Sequence, residues 1–283
     1  MTSWPVVLAA LALGLVVGSF LNVCIVRWPD GGSVLRPAGS RCPRCERPVR
    51  WYENVPVVSW LALRARCAGC ALPIAALYPA VELATGVAWA AAAAAHGPTL
   101  DGLRVAVFVT VLLGIAVTDA RRMVIPDGFT GFLLAWAIVT SIVSQNPGAV
   151  TLFAPPYEAF VGACAGAGAI AIIGWLGEMA FKKEAMGFGD VTMMAGVGAA
   201  LGPERALLTV VLGALVGAVA SVLVLAPVAW VRYRRAAAGP AEGGETFELP
   251  PVPFGVFLAP AALAALLGGD RMIAWYFAHV LTA

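Results

Sequence analysis

The chain has 283 residues, 61% of them hydrophobic and only 12% charged, with a formal net charge of +2. That balance decides against a soluble globular protein and points to a chain that lives in a bilayer, and no nucleic-acid partner is expected. Six cysteines, four of them in CxxC pairs, suggest a metal site or a redox pair rather than a secreted disulfide framework.

Eight apolar spans are predicted, several approaching the ~20 residues needed to cross a membrane. They are Pro5–Val26, Ile74–Ala95, Leu103–Thr118, Phe129–Ser144, Tyr157–Phe181, Val191–Leu201, Ala206–Val231 and Phe254–Leu267. The sixth is about half a span and the eighth is marginal. The first has no basic n-region and no clear small-residue cleavage site, so it is expected to stay as an anchor. The resulting division is a first transmembrane helix (1–27), a cytoplasmic Cys-bearing domain (28–73) and a membrane core (74–283).

The basic residues fall on alternate sides of these spans. After the first come Arg27, Arg36, Arg41, Arg44, Arg47, Arg50, Arg64 and Arg66. After the third come Arg121 and Arg122, after the fifth Lys182 and Lys183, and after the seventh Arg232, Arg234 and Arg235. Only Arg104, Arg205 and Arg271 lie opposite. The positive-inside rule then puts both termini outside, and the Cys-bearing segment with the 119–128 and 182–190 loops in the cytoplasm. The pairs Gly162/Gly166 and Gly213/Gly217 have the spacing of close helix contacts and are read as packing. Ala236–Pro251, rich in Ala, Gly, Glu and Pro, reads as a mobile cytoplasmic loop.

Cys42-Pro-Arg-Cys45 and Cys67-Ala-Gly-Cys70 can close a tetrahedral thiolate site. Such a site would be structural, tying a segment too small for a good core into a compact knob. A redox pair or free thiols are the alternatives, and a cytosolic position favours metal because disulfides are rare there. Cys24 and Cys164 lie in apolar spans and read as small buried hydrophobes.

Carboxylates in apolar spans are costly and mark working groups facing protein or water. Asp119 ends the third span, and Asp190 opens the sixth behind Gly187 and Gly189. The glycines would let another backbone, such as a bound peptide, come close. Both acids are predicted at the same membrane edge. Two carboxylates sharing a site do not easily both ionise, so one acts as acid while the other activates water. That arrangement hydrolyses a peptide bond without metal or covalent nucleophile. Asp127 is the rival partner, although its place before a helix reads first as an N-cap. Glu82, Glu158 and Glu178 are expected to be structural, and His96 and His279 receive no role. An ion or proton transporter is the alternative function, since membrane acids also relay protons; a metal-knuckle scaffold without chemistry is a third.

Several motifs together resemble the bacterial type IV prepilin peptidases, which are GxGD aspartyl proteases. They are Gly14–Pro29, Ser40–Cys45, Trp51–Trp60, Tyr78–Leu83, Asp119 with Ile125-Pro126-Asp127, Gly187-Phe188-Gly189-Asp190 and Pro253-Phe254-Gly255. The resemblance implies an all-α polytopic protein of about eight transmembrane helices, with a small zinc-knuckle-like cytoplasmic domain between helices 1 and 2. It implies a multi-pass enzyme of the inner membrane that removes the leader from prepilins and pseudopilins after a glycine, at the cytoplasmic face. Asp119 and Asp190 would be catalytic, and Cys42, Cys45, Cys67 and Cys70 would hold structural zinc. Many such enzymes also N-methylate the new terminus with S-adenosylmethionine. Two positions depart from the pattern: Leu77 where Arg is frequent, and Thr192 where Lys is.

Overall fold

A computed structural model of the chain describes residues 3–37, 39–144, 152–183, 186–237 and 252–281. Most of the Ala236–Pro251 loop lies outside these residues. Among the described residues the secondary structure is helical, apart from two isolated β-bridges, Arg41 with Pro48 and Arg66 with Pro73.

The ordered elements are α1 (Trp4–Arg27), the five-residue α2 (Val58–Ala62), α3 (Leu77–His96), α4 (Leu100–Arg122), α5 (Asp127–Val143), α6 (Pro156–Phe181), α7 (Phe188–Leu201), α8 (Pro203–Ala220), α9 (Ala226–Ala237) and α10 (Gly255–Tyr276). Ser221–Leu225, a π turn, carries α8 into α9 without a break. Among the described residues, six helical runs are long and apolar enough to cross a membrane. The expected eight is therefore corrected to six long spans plus two shorter apolar helices, α5 with 17 residues and α7 with 14. At 1.5 Å per residue α7 is about 21 Å long, short of a ~30 Å hydrocarbon core.

The short helix is the most enclosed one. Met193, Met194, Val197 and Ala199 of α7 are fully buried, and α7 packs on α5, α6, α8 and α10. Protein, not lipid, surrounds it, which is the setting in which a helix shorter than the bilayer is tolerated. By contrast α1 rests mainly on α3 and turns Leu8, Leu13, Val16 and Phe20 outward, as a lipid-facing helix does.

Glycines set the closest contacts. On α6, a Cβ on Gly162 would strike the carbonyl of Gly198 on α7, and one on Gly198 would strike the carbonyl of Gly162. Gly166 meets the carbonyl of Met194 in the same way. Gly213 and Gly217 lie against Leu258 and Phe257 of α10, so both predicted small-residue pairs are helix contacts.

Two boundaries differ from the prediction. The last span runs past Leu267 to Tyr276, and Asp270 within it pairs with Arg205 of α8 at 3.2 Å. The third span starts at Leu100 rather than Leu103, and Arg104, counted on the side opposite the basic loops, lies inside α4 and is 2% exposed. Its guanidinium stands 4.3 Å from the centre of the Phe153 ring and 3.6 Å from the Asp101 carboxylate.

Candidate active site

Three chain segments converge on Asp119. The residue sits in the last turn of α4, which Met123 terminates in a left-handed conformation, its N–H bonded to the Asp119 carbonyl at 2.8 Å. Its carboxylate is 5% exposed, and Oδ2 accepts the N–H of Val256, 3.1 Å away, at the head of α10. The first N–H groups of a helix lack partners within it and carry the positive end of its dipole, so a carboxylate there is well solvated by the fold. A Cβ on Gly255 would come within 2.9 Å of both Asp119 Oδ2 and Ile125 Cδ1. Glycine leaves both side chains this room, which fits the glycine of Pro253-Phe254-Gly255.

Asp190 lies in the first turn of α7 and is 9% exposed. Its N–H reaches the Gly187 carbonyl at 3.1 Å, with Gly187 as N-cap. Its Oδ1 is buried without a hydrogen-bond partner. Asp119 stands within electrostatic reach of it. The buried Ile125 joins the two halves: its Cδ1 faces Gly255 beside Asp119, and its Cβ lies 2.9 Å from where a Gly189 Cβ would be.

The two glycines before Asp190 thus differ. The backbone that approaches Gly189 is the chain's own, at Ile125, whereas a Cβ on Gly187 would make ordinary contact 3.7 Å from Asp190 Oδ2. Asp127 does not join the pair. It is exposed, and it occupies the first helical position of α5, where Pro126 is the N-cap. The predicted N-cap role is therefore corrected to a first-turn acid, favourable at a helix N-terminus without a side-chain cap bond. Glu82 is a tether between regions: on α3, it accepts the N–H of Val57 at 2.8 Å. Ile125, Gly255 and Val256 are the site neighbours that sequence reasoning missed. The Ile125-Pro126-Asp127 and Pro253-Phe254-Gly255 motifs were the signals that pointed toward them.

The four cysteines form a second centre, outside the spans. All four sulfur atoms lie within 4.8 Å of one another, with Cys42–Cys70 at 3.9 Å and Cys45–Cys67 at 4.0 Å. Tetrahedral thiolates at a Zn–S length of about 2.3 Å would stand about 3.8 Å apart. The donor set and its spacing fit such an ion.

The two knuckles are copies of one another. Cys42 donates its N–H to Arg47 O at 3.0 Å, and Cys67 donates to Leu72 O at 2.9 Å. Glu46 and Ala71 both turn left-handed and both return an N–H to the first cysteine's carbonyl at 2.9 Å. The Arg41–Pro48 and Arg66–Pro73 bridges close the two hairpins alike. Backbone N–H groups of Cys45 and Arg44 pull the Cys42 thiol down to about 6, and those of Cys70 and Gly69 lower Cys67, whereas Cys45, despite the Arg47 N–H, is pushed up to about 11 by its neighbouring thiols.

Known proteins match along nearly the whole chain. Residues 12–96 match the bacterial peptidase A24 N-terminal domain, and residues 106–222 match the type IV leader peptidase family. A prepilin leader peptidase/N-methyltransferase of Stutzerimonas stutzeri is 35% identical over 95% of this chain and 93% of its own length. The protein of that name from Aeromonas hydrophila is 33% identical over 94% and 92%. That from Myxococcus xanthus is 41% identical over 75% of this chain and 61% of its own length. No solved structure matches the chain. Two family domains in order and two relatives aligned over more than nine-tenths of both chains lead to one conclusion: the chain belongs to the type IV leader peptidase family.

Proposed function

We propose that this protein is a multi-pass membrane peptidase that removes the leader of prepilins and pseudopilins after a glycine, with Asp119 and Asp190 as its catalytic pair. The observation that carries the reading is a pair of buried carboxylates whose neighbouring glycines share Ile125, in unlike surroundings: Asp119 with a backbone donor at the head of α10 and Asp190 with an oxygen that lacks one. The family and the names of the relatives support it. A transporter reading gains nothing from either.

The surroundings suggest the division of labour. Asp119 is the carboxylate that stays ionised, and Asp190 carries the proton that its unpartnered oxygen needs. Asp119 takes a proton from water as the water oxygen attacks the scissile carbonyl carbon, while Asp190 gives its proton to the carbonyl oxygen. Collapse of the tetrahedral intermediate breaks the C–N bond. The leaving nitrogen takes the proton held by Asp119, and a hydroxyl proton returns to Asp190. Both side chains are then as they began.

Further readings complete the proposal. Residues 1–27 form the first span, 28–73 a cytoplasmic domain and 74–283 the protease core, with both termini outside and the active site at the cytoplasmic face of the inner membrane. Cys42, Cys45, Cys67 and Cys70 hold a structural zinc ion, which ties the domain together and takes no part in cleavage. The relatives' name suggests N-methylation of the new terminus by S-adenosylmethionine. The test is one reaction containing purified protein, a prepilin and S-adenosylmethionine, read by mass spectrometry. Cleavage after the glycine is expected, with a methyl group on the product. Normal cleavage by Asp119→Asn or Asp190→Asn would overturn the catalytic assignment.

A further inference from the structure

The surface of the Cys-bearing knob carries a feature that neither centre uses. Within 51–61 five large apolar side chains are exposed, Trp51 at 83%, Val58 at 62% and Leu61 at 63%, with Tyr52 and Val55, while Val57 and Trp60 are half-buried. Val58 and Leu61 are three apart on α2 and share a face. An apolar cluster of this kind in water marks an interaction site.

Two hydrogen bonds fix where the cluster stands. Val57, which precedes α2, gives its N–H to Glu82, and Trp60 Nε1 bonds to Ile74 O at 3.2 Å. Glu82 is the sixth residue of α3, about 7.5 Å from the helix start. Its neighbour Leu83 is 52% exposed on a helix long and apolar enough to span. The α2 segment is therefore held beside a membrane-spanning helix, more than one turn along it, and not at the far end of the knob.

The flanking charge identifies the occupant. Arg50 precedes the cluster and Arg64 and Arg66 follow it, all exposed. Glu53, the one acid within 50–66, is spent on Arg47 at 2.7 Å and on the Arg50 N–H. Apolar and aromatic side chains between exposed arginines, at the level of a helix end, match the boundary between acyl chains and anionic headgroups.

We infer that residues 50–66 are an interfacial anchor: Trp51, Val58 and Leu61 enter the membrane boundary, while Arg50, Arg64 and Arg66 engage the phosphates of anionic phospholipid. The inference rests on the spanning helices and not on the peptidase reading. It makes the knob a domain that lies on the bilayer, held at one height by Glu82 from inside and by lipid from outside.

The test uses the full chain in nanodiscs of phosphatidylcholine alone or mixed with phosphatidylglycerol. A photoreactive p-benzoylphenylalanine replaces Leu61 or, in a second variant, Val58. A third variant carries it at Leu83 and must give lipid adducts in both membranes. Shielding of the knuckle cysteines from maleimide checks the fold of each variant. The expected result is phospholipid adducts at position 61 or 58, enriched in phosphatidylglycerol. R64Q and R66Q each lower that enrichment about fivefold. Adducts to an added prepilin or to a second copy in place of lipid would overturn the inference. So would lipid adducts indifferent to headgroup charge and to both arginine variants, or no adducts at either position in variants that keep their fold.

Discussion

The membrane core and the knob hold their key side chains by opposite means. Around Asp119 and Asp190, packing positions everything: helix ends from α4, α7 and α10 meet over glycines, and Ile125 fills the joint. In the knob, little is buried. Its sulfurs are set by two hairpins of backbone hydrogen bonds, and a bound ion would supply the closure that a core would otherwise give. The lesson is that one chain can make two rigid centres, one from apolar bulk and one from almost none, and that the two should fail under different insults.

The largest effect is expected at the carboxylates. Asp190→Asn should lower the rate of prepilin cleavage by on the order of 10²–10⁴-fold while the metal content and proteolytic resistance of the knob stay unchanged. A parallel loss of both properties would show that the regions are one unit and break the comparison. Next comes the metal. Cys67→Ser, or a chelator, should release the ion and expose the 28–73 segment to limited proteolysis, since metal binding contributes about 10 kcal/mol to the folding of such small domains. The thermal stability of the spans, followed by circular dichroism, should stay near that of the parent protein.

Smaller changes sharpen the contrast. Gly255→Ala puts a methyl 2.9 Å from the Asp119 carboxylate and from Ile125. It should cost about 1–3 kcal/mol of stability and lower kcat more than it changes KM, because it moves a group of the proposed site rather than a binding surface. Glu82→Ala removes the acceptor of the Val57 N–H. Its expected cost is about 1–3 kcal/mol, seen as faster amide exchange at 55–62 while the ion stays bound. Glu82→Gln, which keeps an acceptor oxygen, should restore most of the protection.

Much of this was legible in the residues, because hydropathy and CxxC spacing are local signals. Each of the eight predicted apolar runs is a helix, and the four knuckle cysteines meet. What was hidden depends on distant contacts. Asp119 and Val256 are 137 positions apart, and nothing near Asp119 announces that the head of another helix will solvate it. The burial of Arg104, which hydropathy does not distinguish from that of any other arginine, depends on the Phe153 ring and Asp101. Asp127 was misread by one position: an X-Pro step places the cap on Pro126 and moves the acid into the first turn. The knuckle duplication was in plain view, as Arg-Cys-x-x-Cys-x-x-Pro at 41–48 and again at 66–73. A search for long repeats passes over two copies of eight residues.

The mutual contact of Gly162 and Gly198 has a mechanical consequence. Two helices touching backbone to backbone have no side-chain layer between them to shear or repack, so α6 and α7 move as a single strut. Asp190 rides on that strut. A motion that separated the two carboxylates would then be displacement of α4 against the strut rather than bending within it.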